Sequence, residues 1–251
     1  MLIVDFRRMF TTRLLYIMVG ICLVMPVLIL VMTTMMDGTV TEDPQTGVKT
    51  VIEGFDNTWQ VISTLSSESS SMSMDLTGMC NINMLYFAVA VFVCLFVSED
   101  FRSGYSKNLF TVRAKKTDYV ISKTLAGFVG GACMLLAFFV GTLAGGAIAG
   151  LPFDMGAAGV SGIAMCMLSK IALVAVFVPI YLVMSVVAKQ KTWLSMCLSL
   201  AVGMLFFMMI PALTPLDATI MNVVLCLAGG ALFSVGLGAI SNTILRKTSL
   251  V

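Results

Sequence analysis

The ionisable residues of this sequence show where chemistry could take place, and they argue against a catalytic site. The chain of 251 residues contains no histidine, which removes the commonest general base and an important metal ligand. Its seven cysteines are scattered, mostly through apolar stretches, without a C-x-x-C pair, so no disulfide framework or metal site is expected. The sequence G-x-x-x-x-G-K-[ST], which cradles nucleotide phosphates, is absent. We therefore expect no catalytic residue, metal or cofactor on this chain.

The charged residues also argue against a self-sufficient carrier or channel. Carriers driven by ion gradients usually keep a carboxylate in mid-membrane, whereas all 13 acids here are predicted to lie in loops or at span ends. Lys170 is the one charge that could lie inside a span, and we expect it to reach outward to the polar boundary. No charged ring or filter sequence is recognisable. Energy for transport would have to come from another protein.

The composition indicates an all-α polytopic membrane protein. Hydrophobic residues make up 59% of the chain and charged residues 11%, against about 25% charged in soluble domains. Spans of about 20 residues are expected. The second span should extend outward through Leu76. The apolar residues 160–167 lie outside the predicted spans and are expected to form a re-entrant or interfacial piece. The six predicted spans, within one transmembrane domain 1–251, are 14–36, 82–97, 124–150, 168–188, 193–213 and 218–245.

The distribution of positive charge predicts the orientation. Thirteen of the 15 Lys and Arg residues lie near the termini, in 98–123 or in 188–192, and only Lys49 and Lys170 lie elsewhere. Because cytoplasmic loops are enriched in Lys and Arg, both termini are predicted to be cytoplasmic, in a bacterial-type plasma membrane. An interfacial helix is predicted before the first span, with its apolar face formed by Leu2, Phe6, Met9 and Phe10.

The predicted outer loop, 37–79, is a candidate ligand surface. It holds seven acids and one lysine, and a hairpin is predicted with Pro44 and Gly47 in its turn. A helical stripe of Phe55, Trp59, Ile62 and Leu65 follows. The loop could meet a cationic amphipathic ligand, or it could be a solvated surface with its stripe on the membrane. The candidate ligand residues are Glu42, Asp43, Glu53, Asp56, Phe55 and Trp59.

Small residues recur every four positions in the third and sixth spans. Such faces let helices approach closely in lipid. The predicted packing residues are Gly127, Gly131, Gly141 and Gly145 in the third span, and Gly230, Ser234 and Gly238 in the sixth.

The polar segment 98–123 separates the second and third spans. It carries six basic and three acidic residues, so it must lie outside the hydrocarbon on one side of the membrane. Interpreted as one helix, it places Phe101, Tyr105, Leu109 and Val112 on one stripe. Such a helix could rest on lipid headgroups or press its stripe into a partner protein.

The sequence D-F-R-S-G-Y-S-K-N-L at 100–109, six spans and an interfacial N-terminal helix together resemble the permease subunits of ABC-2-type transporters. In that family an acidic residue after the second span is followed four residues later by Gly and a hydroxyl residue. Asp100 stands in the acidic position and Gly104 matches, but Tyr105 replaces the hydroxyl residue. Size and the long outer loop resemble the permeases of bacitracin-type and lantibiotic self-protection.

This resemblance implies an exporter subunit powered by a separate ABC ATPase, which would carry the ATP and Mg. A second permease chain, the same or related, would complete the path. The substrate would be amphipathic, such as an antimicrobial peptide. No nucleic acid would be involved. A membrane binding or scaffold protein and an ATP-independent channel or carrier are the alternatives. Within the segment 98–118, ATPase coupling would fall to Glu99, Asp100, Phe101, Arg102, Gly104, Tyr105 and Leu109.

Overall fold

The computed structural model is a bundle of long apolar helices. It describes residues 1–42, 49–51, 54–64, 81–111, 115–156, 158–189, 191–207 and 209–247. In chain order the helices are α1 (Leu2–Thr11), α2 (Arg13–Met36), α3 (Leu85–Arg102), α4 (Tyr105–Thr111), α5 (Lys116–Ala149), α6 (Gly159–Ala188), α7 (Thr192–Phe207), α8 (Ile210–Leu213) and α9 (Ile220–Lys247).

In the part of the chain that the structure describes, five helices are long and apolar enough to cross a membrane, and α7 is a shorter apolar helix. The predicted all-α polytopic fold is confirmed. The predicted hairpin is also present, as the antiparallel strands β1 (Val40–Glu42) and β2 (Lys49–Val51), in which Val40 pairs with Val51. Its expected turn at Pro44 and Gly47, and the expected extension of the second span through Leu76, lie outside the described residues.

Several predicted boundaries were wrong because polar side chains at the span ends are buried against protein. Residues 98–102 continue α3, and α5 begins two turns before Thr124. The predicted re-entrant piece 160–167 forms the first turns of the single helix α6. The fifth span is interrupted, since α7 ends at Phe207 and the short α8 starts at Ile210.

The interpretation of 98–123 as one helix was wrong. The chain turns at Ser103 and Gly104, and Gly104 has φ +71°, a left-handed conformation that glycine adopts without steric cost. Helix α4 is therefore a separate element, and the predicted stripe is divided. Phe101 belongs to α3 and is buried, Tyr105 and Leu109 belong to α4, and Val112 lies outside the described residues.

Helix α6 lies at the centre of the bundle, with most of its side chains buried. The third-span glycines let neighbouring backbones approach closely. A Cβ on Gly131 would lie 2.7 Å from Val174 of α6, and one on Gly145 would lie 2.9 Å from the Cα of Val27 in α2. On α9, a Cβ on Gly230 would lie 2.8 Å from Ala175, and the Ser234 hydroxyl donates to the Ala175 carbonyl at 3.3 Å.

The remaining predicted packing residues meet neighbours in the same way. An added Cβ on Gly127 would lie 2.8 Å from Val178, and one on Gly141 would contact Leu23. An added Cβ on Gly238 would lie at an ordinary contact distance, 3.8 Å, from Val120. These faces of α5 and α9 thus pack against other helices of the same chain.

Candidate functional site

The end of the bundle that carries α1 and α4, here called the basic end, holds a buried cluster of four charges. Lys123 of α5 lies between two carboxylates, with its Nζ 2.8 Å from Asp5 of α1 and 2.6 Å from Asp100 of α3. Arg8 of α1 adds a second cation, with Nη1 2.8 Å from the other oxygen of Asp100. The charges of the four side chains cancel, and they connect three helices.

The cluster is stable only if its polar atoms are satisfied, because removing charges from water costs several kcal/mol per ion. The Tyr119 hydroxyl donates to Asp100 at 3.1 Å, and the Ser122 hydroxyl donates to Asp5. The ammonium of Lys123 also lies 4.1 Å from the centre of the Phe96 ring. Asp5, Asp100 and Lys123 are completely or almost completely inaccessible, whereas the Arg8 side chain is 32% exposed.

Helix α4 is fixed to this cluster at both ends. The Arg8 guanidinium lies over the Tyr105 ring, 4.3 Å from its centre, and the Ser106 hydroxyl donates to the Asp100 carbonyl at 3.1 Å. At the other end, the ring of Phe110 packs edge-on against Tyr119, with centroids 5.5 Å apart. A displacement of α4 would therefore be transmitted directly to the ends of α3 and α5.

The Arg8 guanidinium stays charged near neutral pH. Burial alone lowers the pKa of Arg8, but the charge and hydrogen bond of Asp100, together with Tyr105 and Asp5, outweigh burial and raise that pKa above its ordinary value. Burial is the main cause that raises the pKa of the Tyr105 phenol. Since arginine loses its stabilising charge only above its folded pKa, Arg8 stays charged through the physiological range.

The seven predicted coupling residues divide into two groups. Asp100 and Phe101 are buried in the bundle, so they support the turn from inside, and Phe101 packs edge-on against Tyr119. Glu99 and Arg102 are exposed, and Gly104, Tyr105 and Leu109 are partly exposed. Together with other exposed side chains they form an accessible surface, here called the α4 surface, that comprises Glu99, Arg102, Ser103, Tyr105, Asn108, Leu109 and Thr111.

Sequence reasoning missed Asp5, Arg8, Tyr119 and Lys123 as members of this site. Two signals were present. Asp5 lies between Leu2 and Met9 at helical spacing, on the apolar face of α1, where an acid needs a buried partner. Lys123 follows Tyr119 by one turn at the start of an apolar span.

The stripe of the outer loop was predicted to be available to a ligand, and this prediction was wrong because the described residues of the stripe are buried. Phe55 and Trp59 are 4% and 5% exposed and Ile62 is fully buried, because 54–64 packs against the bundle end opposite to the basic end. Trp59 stacks on Phe139 of α5, with centroids 6.2 Å apart. Asp56 is exposed, Glu42 ends β1, and Leu65, Asp43 and Glu53 lie outside the described residues.

Lys170 reaches toward the end of the bundle opposite the basic end, as expected, but the expectation that it reaches the polar boundary was wrong. Its side chain is inaccessible, and Nζ donates to Asn83 at 2.9 Å and to the Thr214 hydroxyl at 2.8 Å. Segment 54–64 covers this region, since the Ser63 hydroxyl donates to the Thr214 carbonyl at 2.8 Å. Lys170 therefore ties α6 to the outer connections. Among the described residues, no group of three or more His, Cys, Asp or Glu could hold a metal.

The architecture and the basic end define a polytopic membrane protein with a short polar helix held between its second and third spans. The chain belongs to the ABC-2 transporter family, since the model of the ABC-2 family transporter protein matches residues 7–206, from α1 to the end of α7. It is thus the membrane component of an ABC transporter, a class that works with a separate ABC ATPase. No curated protein and no solved structure gave a match.

Proposed function

We propose that this chain is the permease subunit of an ATP-driven exporter and that the ATPase binds the α4 surface. One observation carries the proposal: α4 presents exposed polar residues while its inner face is fixed to three helices through the charge cluster. Family membership supports the ATPase partner. The excess of Lys and Arg at the basic end supports a cytoplasmic position for α4, where ATP is available.

The mechanism follows from the rigidity of this attachment. Closure of an ATP-bound ATPase dimer displaces α4, and the buried contacts pass the displacement to α3 and α5. Because ion-paired and well-packed elements shift between discrete arrangements, a small movement at α4 can change how the spans pack. The ATPase subunit supplies the chemistry of ATP and Mg, and this chain supplies the moving path.

We expect Arg102→Glu to reduce ATPase binding by about tenfold or more, in the range measured for charged residues at interface centres. Arg102 is exposed on the α4 surface, so reversing its charge disturbs the contact without opening the core. The measurement is retention, on the tagged permease, of a co-expressed candidate ATPase subunit encoded by a gene adjacent to this chain's gene.

The matched control is Lys191→Glu, which reverses an exposed charge in the turn between α6 and α7. It should retain the ATPase like the parent. Equal retention by both variants would count against the α4 surface, and an adjacent gene without nucleotide-binding motifs would count against the exporter itself.

We further propose an amphipathic substrate, such as an antimicrobial peptide, moving along a path between two permease chains. Much of α2 and α9 is left uncovered by the rest of the chain, which offers apolar surface to lipid or to a second permease. The outer loop 37–79 carries a net charge of −6, and such a field concentrates cations near its surface. Since Phe55 and Trp59 are buried, charge rather than an aromatic surface would attract the peptide.

Neutralising Glu42, Asp43, Glu53 and Asp56 together should weaken capture of a cationic amphipathic peptide at low ionic strength and matter little at high salt. Exposed charges are screened beyond about 10 Å at 0.1 M salt. Peptide binding to vesicles containing the protein, measured at two salt concentrations, checks this. Capture that is unchanged at both would leave the loop as a solvated surface.

A further inference from the structure

We propose that α1 is part of the coupling apparatus and that Arg8 is a positioning residue, which sets the angle of α4 against the spans. This inference rests on the proposed function, because it concerns how a displacement of the α4 surface reaches the rest of the chain. It assigns a coupling role to a helix that sequence analysis placed only at the membrane interface.

Arg8 bridges the turn between α3 and α4, which the Ser106 hydrogen bond to the Asp100 carbonyl also spans. Gly104 joins α3 to α4 with a left-handed backbone and has no non-neighbouring atom within 4 Å of the position of an added Cβ. Arg8 reaches both sides of this turn, since it pairs with Asp100 on α3 and lies over the Tyr105 ring on α4. A guanidinium suits this position because its plane can stack on a ring while its edge donates to a carboxylate.

Helix α1 is in turn attached to α5. Asp5 pairs with Lys123 at 2.8 Å and accepts from Ser122, both on α5. Between α1 and α2, Thr12 has an extended backbone, with φ −79° and ψ 130°, which interrupts the helix before the first span. Helix α1 is thus a separate element that contacts α4 through Arg8 and α5 through Asp5. A displacement of α4 would therefore be passed through α1 to α5.

The test compares two neighbouring arginines of α1. Arg8 has the bridging contacts described above, whereas Arg7 is exposed. Arg8→Gln and Arg7→Gln are each co-expressed with the ATPase subunit from the adjacent gene, purified and placed in phosphatidylcholine–phosphatidylglycerol vesicles. Four quantities are measured: ATPase retention, the melting temperature of the permease, and kcat and KM for permease-dependent ATP hydrolysis.

We expect Arg8→Gln to retain the ATPase within twofold of the parent but to lower kcat about three- to tenfold, with KM for ATP unchanged, as for residues that carry coupling between sites. Arg7→Gln should match the parent in every measurement. Tyr105→Leu, which removes the ring beneath the guanidinium and leaves the Asp100 pair in place, should lower kcat in the same direction. Arg8→Lys should recover part of the loss, since it restores charge without stacking.

The outcomes separate the two proposals. If the parent does not retain the ATPase, the proposed function fails, and this inference fails with it. If the parent retains the ATPase and Arg8→Gln gives the same kcat as Arg7→Gln, only the role of Arg8 is overturned. A lower melting temperature without a change in kcat would show that Arg8 serves stability alone, which also overturns the inference.

Discussion

Replacing Lys123 by methionine is expected to prevent most of the protein from accumulating as a folded membrane protein. Lys123 contacts both Asp5 and Asp100, and none of the three side chains is accessible. Removing one partner of a buried ion pair costs about 3–5 kcal/mol, since the remaining charge is left without compensation. The measurement is the monodisperse fraction after detergent extraction, together with the melting temperature.

The control for this prediction is Lys116→Met, which removes a cation at the start of the same helix. The Lys116 side chain is partly buried and donates to the Leu245 carbonyl at 2.6 Å. Lys116→Met should therefore lower the yield and the melting temperature less than Lys123→Met. Removing all three inaccessible charges, with Asp5→Leu, Asp100→Leu and Lys123→Met, should recover much of the yield, because apolar replacement of buried ion sets is often tolerated. A Lys123→Met protein as stable as the parent would contradict the account of the cluster.

Gly141→Leu is expected to separate the first and third spans and to lower the yield of folded protein severely. A Cβ at Gly141 would overlap the carbonyl oxygen of Leu23, and it would also lie 2.7 Å from the Pro26 ring. Backbone atoms cannot rotate out of the way, so the cost should exceed the roughly 1–3 kcal/mol typical of overpacked cores. Thermal melting in detergent and limited proteolysis of the connections measure the effect.

Gly20→Leu is the matched control for this substitution. Gly20 lies on α2, the helix that Gly141 contacts, but an added Cβ there meets nothing within 4 Å. It should therefore insert and melt like the parent. Similar melting temperatures for the two leucine variants would mean that α2 is not held against α5 as described.

The parts of the fold that sequence could predict are those in which local composition decides the structure. Apolar length located the spans, and the turn residues Pro44 and Gly47 predicted the hairpin. The break before α4 depends on one backbone angle at Gly104, whereas the surrounding residues are all compatible with a continuous helix. Hydrophobic periodicity therefore predicted one continuous helix where the chain forms the two helices α3 and α4.

The long-range contacts could not be predicted because periodicity shows which face is apolar but not what covers it. The stripe of Phe55, Trp59 and Ile62 is real, yet it faces the bundle rather than a ligand or the membrane. Lys170 was expected to reach outward to the polar boundary, but Asn83 and Thr214, which are distant in sequence, provide its acceptors inside the protein. The pairing of residues 5, 100 and 123 likewise depends on three helices meeting at one point.

The most direct test of the exporter account is site-specific photo-crosslinking from the α4 surface. A photoreactive amino acid is placed at Asn108, which is exposed on α4, and in a second protein at Asp56, which is exposed at the opposite end of the bundle. After co-expression with the ATPase subunit and illumination, we predict a permease–ATPase adduct from position 108 and none from position 56. An equal yield of adduct from both positions, or no adduct from position 108 in a complex that retains the ATPase, would contradict the assignment of α4 as the ATPase contact.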